Sequence, residues 1–349
     1  MRRVLLVATG GLTCALAGSA LGLPLGQTTA RTGPDGWTLL DGASRASDAL
    51  RYQGTQFVVL WSPDGATSAL VDISHEPGRG SVLRVAATPQ SPATAVFESD
   101  DTAGVANVAR VSASTVDLLR RNYDVTVDGA EHVAGRVATV VVVRRDDGTA
   151  AARFWIDRAT NLVLRREVLD DQGRTVQASA FLQVDLGRAA MPTYGAVPRT
   201  TIPGEALDDN ALSTARAAGW AAPTTLPNGL ELFDARRRAG EPGDVLHLSY
   251  SDGVSHVSVF EQRGRLDTSA LDGWHRERVA GTRVWVNDAF PRRVVWAANG
   301  RVFTVVAECE RTSLEALVAA LPHRGARRPL LSRLTRGLRR VGSWINPFS

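Results

Sequence analysis

Apolar and polar residues alternate along residues 133–186, the most regularly patterned stretch of the chain. A period of two is typical of a pleated strand with one buried face. Short turns divide the stretch into four such segments, and Asp147-Gly148 in the first turn suits a tight hairpin. Consecutive strands joined by short turns form an antiparallel meander. The pattern therefore predicts a curved or open antiparallel sheet, and whatever covers its apolar face is expected to decide the function.

Two helices are predicted to precede this meander. Apolar residues between positions 39 and 50 fall on one helical face, and Thr38 is expected to be the N-cap of that helix. Ser114–Asp117 has the pattern of a second capping signature, which opens a short helix. Residues 52–61 are rich in β-branched and aromatic side chains, as strands are. We therefore expect residues 37–187 to form one unit of antiparallel strands covered by helices.

The alternation ends at Gly187, and residues 188–216 contain repeated proline and aspartate positions. This composition predicts a linker with little structure of its own. Further strand segments follow, separated by turn signals such as Asn299-Gly300, and Thr312–Glu315 has the pattern of a capping box before a final helix. Residues 217–322 are therefore predicted to be a smaller antiparallel sheet packed against one helix.

The N-terminal segment has the pattern of an export signal. Arg2 and Arg3 precede an apolar run over residues 4–25, and small residues before Leu23 offer a cleavage site. The run is also about long enough to span a bilayer, which needs about 20 apolar residues. Residues 1–26 are therefore predicted to be a signal peptide or an N-terminal membrane anchor. In either case we expect the rest of the chain to be extracytoplasmic, in the periplasm or on the outer face of the cytoplasmic membrane.

The C-terminal segment, residues 329–349, has apolar side chains at helical spacing with arginines between them. This composition predicts a basic amphipathic tail that contacts a membrane surface or a partner, or folds back on its own domain. The candidate contact residues are Leu334, Arg336, Leu338, Arg340 and Trp344.

Charge and composition exclude some functions. All 40 cationic residues are arginines, so chemistry that needs a lysine, such as a Schiff base or a phosphate-loop lysine, is excluded. The net charge of +4 owes much to arginines after residue 323. Because the basic charge is concentrated in the tail, the sequence does not predict nucleic-acid binding.

Motifs of catalysis and of metal binding are absent from the sequence. It has no His-Glu-x-x-His pattern, no Cys-x-x-Cys pair and no Gly-x-Ser-x-Gly elbow. His247 and His256, on neighbouring predicted strands, are interpreted as structural. Doubled aspartates such as Asp146-Asp147 and Asp170-Asp171 fall in predicted turns, which favour aspartate for its conformation. We therefore expect no enzymatic activity, no cofactor and no metal site.

Apolar side chains of the predicted sheet are the remaining candidates for a binding site. Aromatic and aliphatic residues on two parts of the sheet could line a cavity for an apolar ligand, with ordinary core packing as the alternative. The candidate residues are Phe57, Val59, Trp61, Phe154, Ile156 and Leu182.

Several motifs resemble those of the MucB/RseB proteins, which regulate extracytoplasmic sigma factors. The matching segments are Tyr52-Gln53-Gly54-Thr55, Phe154-Trp155-Ile156-Asp157, Leu226-Pro227-Asn228-Gly229-Leu230 and Tyr250-Ser251-Asp252-Gly253. The resemblance covers about residues 37–322, with both predicted domains in the family's order. The basic tail is an addition that the family pattern does not explain.

The resemblance implies an α+β fold in two parts. Residues 37–187 would be a curved antiparallel half-barrel sheet with covering helices, similar to the lipoprotein carriers LolA and LolB and shaped to hold an acyl chain. Residues 217–322 would be a smaller antiparallel sheet-plus-helix domain that binds a partner.

The resemblance also implies a function in envelope stress signalling. The protein would bind a membrane-anchored anti-sigma factor and shield it from proteolysis, and a lipid in the half-barrel would release it. The alternative is an extracytoplasmic lipid or lipoprotein carrier, which would need the half-barrel alone.

Overall fold

Two antiparallel sheets dominate the computed structural model, which describes residues 35–62, 65–85, 95–99, 111–187, 204–239, 244–288, 292–307 and 311–323. The first sheet belongs to residues 35–187 (the N-terminal unit) and the second to residues 204–323 (the C-terminal unit). The predictions for residues 1–26 and for the tail, residues 329–349, lie outside the described residues.

The described residues of the N-terminal unit form nine strands, each paired antiparallel with its neighbours. They are β1 (Tyr52–Ser62), β2 (Gly65–Glu76), β3 (Gly80–Val85), β4 (Ala95–Ser99), β5 (Asp124–Val133), β6 (Arg136–Arg144), β7 (Ala150–Asp157), β8 (Val163–Leu169) and β9 (Thr175–Leu186). Their order across the sheet is β4-β3-β2-β1-β9-β8-β7-β6-β5. The predicted meander is β6 to β9, and the pairing of β9 with β1 joins it to the earlier strands.

Backbone irregularities curve the meander half of this sheet. Register shifts interrupt the pairings of β5 with β6, β6 with β7, β7 with β8, β8 with β9 and β9 with β1. Irregularities of this kind increase the local twist and bend the strands. The edge strand β5 accordingly approaches β9. The prediction of a curved antiparallel sheet is confirmed.

The helices that pack on the sheet are α1 (Gly36–Ala49) and α2 (Ala113–Asn122). Their predicted N-caps are wrong. The Asp35 carboxylate accepts a hydrogen bond from the Thr38 amide at 2.7 Å, and Ser112 Oγ accepts one from the Thr115 amide at 3.1 Å. Thr38 and Ser114 therefore lie in the first turns. Several residues suited to capping stand close together at both places, and the path of the chain decides among them.

Two apolar clusters form the interior of the N-terminal unit. The first includes Leu40 and Leu119 of the helices and Phe154 of β7, all fully buried. The second joins both halves of the sheet and includes Ile73 of β2 and Trp155 of β7. Burial of each large side chain contributes about 1.5–3 kcal/mol. Helices and sheet are therefore held together mainly by apolar contact.

In the part of the C-terminal unit that the structure describes, nine strands form a second antiparallel sheet. They are β10 (Glu205–Ala206), β11 (Thr225–Leu226), β12 (Leu230–Arg238), β13 (Val245–Ser251), β14 (His256–Arg263), β15 (His275–Val279), β16 (Thr282–Asn287), β17 (Arg292–Ala298) and β18 (Arg301–Ala307). Eight of them follow the order β10-β12-β13-β14-β18-β17-β16-β15, and β11 pairs with β12. The unit also has α3 (Asp209–Ala217), α4 (Arg311–Ala320) and a short 3-10 turn at Thr268–Ala270.

The prediction of an unstructured linker over residues 188–216 is wrong for its last part. Helix α3 occupies that part, with Asp208 as N-cap accepting from the Ala211 amide at 2.7 Å. Leu212 and Ala215 of α3 are buried in the core of the C-terminal unit. The aspartates that suggest a turn here in fact start a helix, because aspartate favours N-caps as well as turns.

The final helix is present but begins earlier than its predicted cap. Helix α4 starts at Arg311, so Thr312 lies inside its first turn. Leu314 and Leu317 of α4 pack in the same core as Trp296, whose ring stacks on Phe303 at a centroid distance of 5.4 Å. The predicted sheet packed against this helix is therefore present.

Candidate functional site

The six residues predicted to line an apolar cavity lie in two different settings. Phe154 and Ile156 are fully buried in the cluster that α1 and α2 cover. Phe57, Trp61 and Leu182 instead have exposed fractions of 40%, 38% and 58%, and Val59 between Phe57 and Trp61 is half-buried. Because Phe154 and Ile156 are packed in the core, they cannot contact a ligand unless the conformation changes. The more exposed residues can contact a ligand directly.

The exposed members lie on neighbouring strands. Phe57 of β1 is directly opposite Leu70 of β2, which is also exposed, and opposite Ala180 of β9. Trp61 lies farther along β1, and Leu182 lies where the pairing of β1 with β9 is interrupted. We call Phe57, Val59, Trp61, Leu70 and Leu182 the β1 strip. Contiguous exposed apolar groups of this kind are typical of binding surfaces.

A loop of the C-terminal unit reaches into the core of the N-terminal unit. This inter-sheet loop, Asp252–Ser255, connects β13 with β14. Its Val254 is 2% exposed and belongs to the same apolar cluster as Leu119 and Phe154. The two units therefore share part of one core.

Gly253 is required where the inter-sheet loop passes α2. Its φ angle is +100°, a region that favours glycine. A Cβ atom at this position would lie 2.9 Å from the backbone nitrogen and side chain of Leu119. The close approach of the loop to the helix therefore depends on the absence of a side chain.

Polar contacts fix the same loop to the end of α2. The Tyr123 hydroxyl donates to Asp252 Oδ2 at 2.8 Å. The other carboxylate oxygen, Oδ1, accepts from the backbone amides of Val254 and Ser255 at 2.8 and 2.7 Å. Asn122 Nδ2 donates to the Asp252 carbonyl at 3.2 Å. The carboxylate is therefore buried with several donors around it, as a buried polar group requires.

Electrostatics keep the proton on the tyrosine. Burial first, and then the charge of Asp252, raise the pKa of Tyr123. Burial also raises the pKa of Asp252, although the backbone amides and Tyr123 donate to it. Tyr123 therefore acts as the donor in this pair.

Arg166 connects the inter-sheet loop with one of the predicted site residues. Its Nη2 donates to the Val254 carbonyl at 2.9 Å, and its guanidinium carbon lies 5.7 Å from the centroid of the Phe154 ring. The Arg166 side chain is buried. A displacement of Phe154 or Arg166 would consequently disturb the contacts that hold the inter-sheet loop.

An ion pair marks the exposed edge of the contact. Arg121 donates from Nε and Nη2 to the two carboxylate oxygens of Glu231, at 2.8 and 2.9 Å. Both side chains are exposed, with fractions of 53% and 38%. Such a pair contributes at most about 1 kcal/mol. We infer that it orients the units more than it stabilises them.

The histidines and turn aspartates that the sequence analysis interprets as structural have contacts within the fold. His247 stacks on Phe260 at 4.3 Å, whereas His256 lies against Phe233 at 5.6 Å and is paired in the sheet with Ser251 instead of His247. Asp147 accepts from the Thr149 amide at 2.8 Å in its turn. The interpretation of these aspartates and histidines as structural residues agrees with these contacts.

Metal-binding clusters and membrane-spanning helices are both absent from the described residues. Within these ranges no group of three or more histidine, cysteine or carboxylate residues is placed to hold a metal ion. None of the helices in the described part of the chain is long and apolar enough to cross a membrane.

A comparison with protein families finds a similarity that includes much of the N-terminal unit. Residues 83–209 match the model of the MucB/RseB N-terminal domain. Over this range the chain is similar to the MucB/RseB N-terminal domain. The resemblance to MucB/RseB proteins that the sequence motifs predict is confirmed.

Curated relatives carry the same family names. Over 203 residues, the chain is 28% identical to the sigma factor AlgU regulatory protein MucB of Pseudomonas aeruginosa, with 57% of this chain and 60% of the relative covered. Over 148 residues, it is 25% identical to the sigma-E factor regulatory protein RseB of Haemophilus influenzae, with 41% and 45% covered. The matches therefore span less than two thirds of either relative.

A similarity in fold to a solved structure covers a longer range. A chain in the complex of Pseudomonas aeruginosa MucA and MucB superposes with a TM-score of 0.50 and 20% identity. The superposition covers 83% of this chain and 99% of that chain. At this identity the likeness concerns the fold alone, and it extends beyond the N-terminal domain.

Sequence reasoning did not identify the inter-sheet loop as part of a site. Tyr250–Gly253 is a motif of the family resemblance, but its Asp-Gly pair has the signature of any tight turn. The one signal in the sequence was Val254, an apolar residue directly after that turn, where a polar residue is expected. Tyr123 and Arg166 carry no comparable signal.

Proposed function

We propose that this protein is an exported, non-enzymatic regulator of an extracytoplasmic stress pathway. It binds the extracytoplasmic part of a membrane-anchored anti-sigma factor and shields it from proteolysis. An apolar ligand, such as a lipid acyl chain, binds the N-terminal unit and weakens that complex. The relatives' names as sigma-factor regulatory proteins support the proposal.

The apolar core shared by the two units supports a coupling between ligand binding in the N-terminal unit and partner binding. Val254 of the C-terminal unit packs in the cluster that contains Phe154 of the N-terminal unit. A ligand that binds one arrangement of this cluster better than another shifts the population of both units. A coupling of about 1–3 kcal/mol, typical of allosteric proteins, would change partner affinity about 5–150-fold.

Recovery of the full chain from detergent-solubilised membranes tests the regulator. We expect a single-pass anti-sigma factor in stoichiometric amount, and its protection from proteolysis when the regulator is added back. Recovery of lipid without any such protein would instead support a carrier. A chain that neither retains nor protects the anti-sigma factor would refute the proposal.

An extracytoplasmic lipid or lipoprotein carrier is the second candidate. The β1 strip favours it, because Phe57, Trp61 and Leu182 are exposed on one region of the first sheet. A carrier would need no second sheet in contact with the first, so the inter-sheet loop favours the regulator.

The basic tail extends the proposal to the membrane surface. Its residues Leu334, Arg336, Leu338, Arg340 and Trp344 would contact anionic lipids and hold the regulator near an anchored partner. Flotation with anionic vesicles tests this part: truncation after Pro322 in a chain that lacks residues 1–26 should abolish flotation, and unchanged flotation would contradict it.

A further inference from the structure

An open, solvent-facing cavity of about 940 Å³ lies in the C-terminal unit, away from all six residues of the predicted apolar site. One wall is the segment before β11, and the other is the end of α4 with the residues that follow it. Among the described residues, the lining is largely apolar and includes one guanidinium group. The lining residues include Arg216, Ala222, Pro223, Thr224, Leu321 and His323.

Buried side chains hold both walls in place. Tyr250 of β13 donates to the Pro223 carbonyl at 2.8 Å, and Trp296 of β17 donates to the Pro322 carbonyl at 2.9 Å. Thr282 Oγ1 donates to the His323 carbonyl at 2.8 Å. Because fixed walls need no reordering on binding, the cavity is preorganised for an occupant.

Arg216 gives this cavity its chemical character. Its Nε donates to the Ala222 carbonyl at 2.6 Å, which holds the guanidinium beside the first wall. Its Nη2 is buried and has no hydrogen-bond partner among the described residues. The described lining residues include no carboxylate. The Arg216 side chain lines the cavity, and a carboxylate is the strongest natural acceptor for a guanidinium.

We propose that this cavity binds a partner segment in which an aspartate or glutamate is flanked by apolar residues. The carboxylate pairs with Arg216, and the apolar neighbours pack against Pro223 and Leu321. The inference rests on the proposed function, since it gives the C-terminal unit a site for the partner protein. The chain's own tail is a poorer occupant, because residues 324–349 contain seven arginines and no aspartate or glutamate.

A pair of short peptides tests the site directly on the full chain. The probe is N-acetyl-Leu-Glu-Leu-amide, and the control is N-acetyl-Leu-Gln-Leu-amide, which differs only in charge. Binding is followed by NMR through the Trp296 indole N–H and the His323 ring. We expect the glutamate peptide to bind at least about fivefold more tightly, because only it offers a charged acceptor. Equal binding of the two peptides, or no binding of either, would overturn the proposal.

Two pairs of variants separate recognition from folding. Arg216→Gln, which keeps a donor for the Ala222 carbonyl, should remove the preference for the glutamate peptide, whereas Arg216→Lys should keep part of it. Thr224 is exposed on the rim, so Thr224→Asp should weaken glutamate-peptide binding by repulsion without unfolding the unit. Thr224→Asn is the matched control and should bind like the unchanged chain. Equal peptide affinities for Thr224→Asp and Thr224→Asn would contradict the site.

Truncation after His323 identifies the alternative occupant. If the glutamate peptide binds only to the truncated chain, the tail fills the cavity and the proposal is overturned. If it binds both chains alike, the proposal is supported. Because no anti-sigma factor enters this experiment, its failure is distinguishable from failure of the proposed function, which the membrane recovery tests.

Discussion

The Tyr123 hydroxyl donates to Asp252 Oδ2 at 2.8 Å, across the boundary between the two sheets. Tyr123 directly follows α2, and Asp252 begins the inter-sheet loop. Because both groups are largely buried, each depends on the other for part of its hydrogen bonding. This hydrogen bond adds a directional polar contact to the apolar packing between the two units.

Tyr123→Phe should therefore destabilise the protein while it keeps the ring in place. The change leaves one oxygen of the buried Asp252 without its hydroxyl donor, which costs about 1–3 kcal/mol. Denaturant unfolding measures the loss, which should appear as a lower midpoint. An unchanged midpoint would show that the hydrogen bond does not stabilise the contact.

Gly253→Ala should loosen the loop from α2. The new Cβ would meet Leu119 at 2.9 Å at a φ of +100°. Gly129→Ala is the matched control, since Gly129 has a φ of +96° and a Cβ atom there would meet nothing within 4 Å. Both variants have backbone strain of about 1–3 kcal/mol. Gly253→Ala should therefore lose more unfolding free energy than Gly129→Ala, by the cost of the clash with Leu119. Equal losses of unfolding free energy would contradict the close packing of Gly253 on Leu119.

Acid should weaken the contact between the sheets through His256. Burial first, and then the positive charge of Arg166, lower the pKa of His256 to about 4 from its ordinary 6.5. The unfolded chain therefore binds more protons between these values, and the stability present above pH 6.5 is lost as the pH falls toward 4. Asp252, whose pKa is raised, acts in the opposite direction.

The variant His256→Gln isolates the histidine, because Asp252 titrates in both proteins. The free energy of unfolding of the variant should fall less between pH 6.5 and 4 than that of the unchanged chain. Parallel pH profiles would rule out a contribution of His256.

Apolar binding at the β1 strip should depend on its exposed side chains. Phe57→Ser and Leu182→Ser should each reduce the binding of a fluorescent fatty acid severalfold, because they remove exposed apolar area. Val137→Ser is the matched control, since Val137 is 39% exposed on β6, outside the strip. Loss of binding in the Val137 variant alone, or in none of the three, would contradict a role for the strip.

Local pattern was sufficient to predict much of the N-terminal unit. The strands β6 to β9 follow from alternation and from turn residues such as Gly148, whose φ of +82° suits the tight turn. Helix ends were less predictable, because Asp35 and Thr38 are both suitable caps and only the three-dimensional path selects one. Pattern alone also could not separate Phe154, which the helices cover, from Phe57, which stays exposed.

The contact between the sheets could not be predicted, because its members are distant in sequence. Asn122 and Asp252, which are hydrogen-bonded, are 130 positions apart. From its sequence, the segment Asp252-Gly253-Val254 is an ordinary turn. Its contact with Leu119 is seen only in the folded structure. The orphaned Nη2 of Arg216 is likewise a property of the folded chain, since its neighbours come from two separate segments.

A titration of the full chain with the extracytoplasmic domain of the anti-sigma factor tests whether the two sheets communicate. The anti-sigma factor is the one encoded beside its sigma factor, and the titration is run with and without lysophospholipid below its micelle concentration. We predict saturable one-to-one binding that the lipid weakens at least about fivefold, the lower end of ordinary allosteric coupling. The absence of binding, or an affinity that the lipid leaves unchanged, would contradict a regulator whose two sheets communicate.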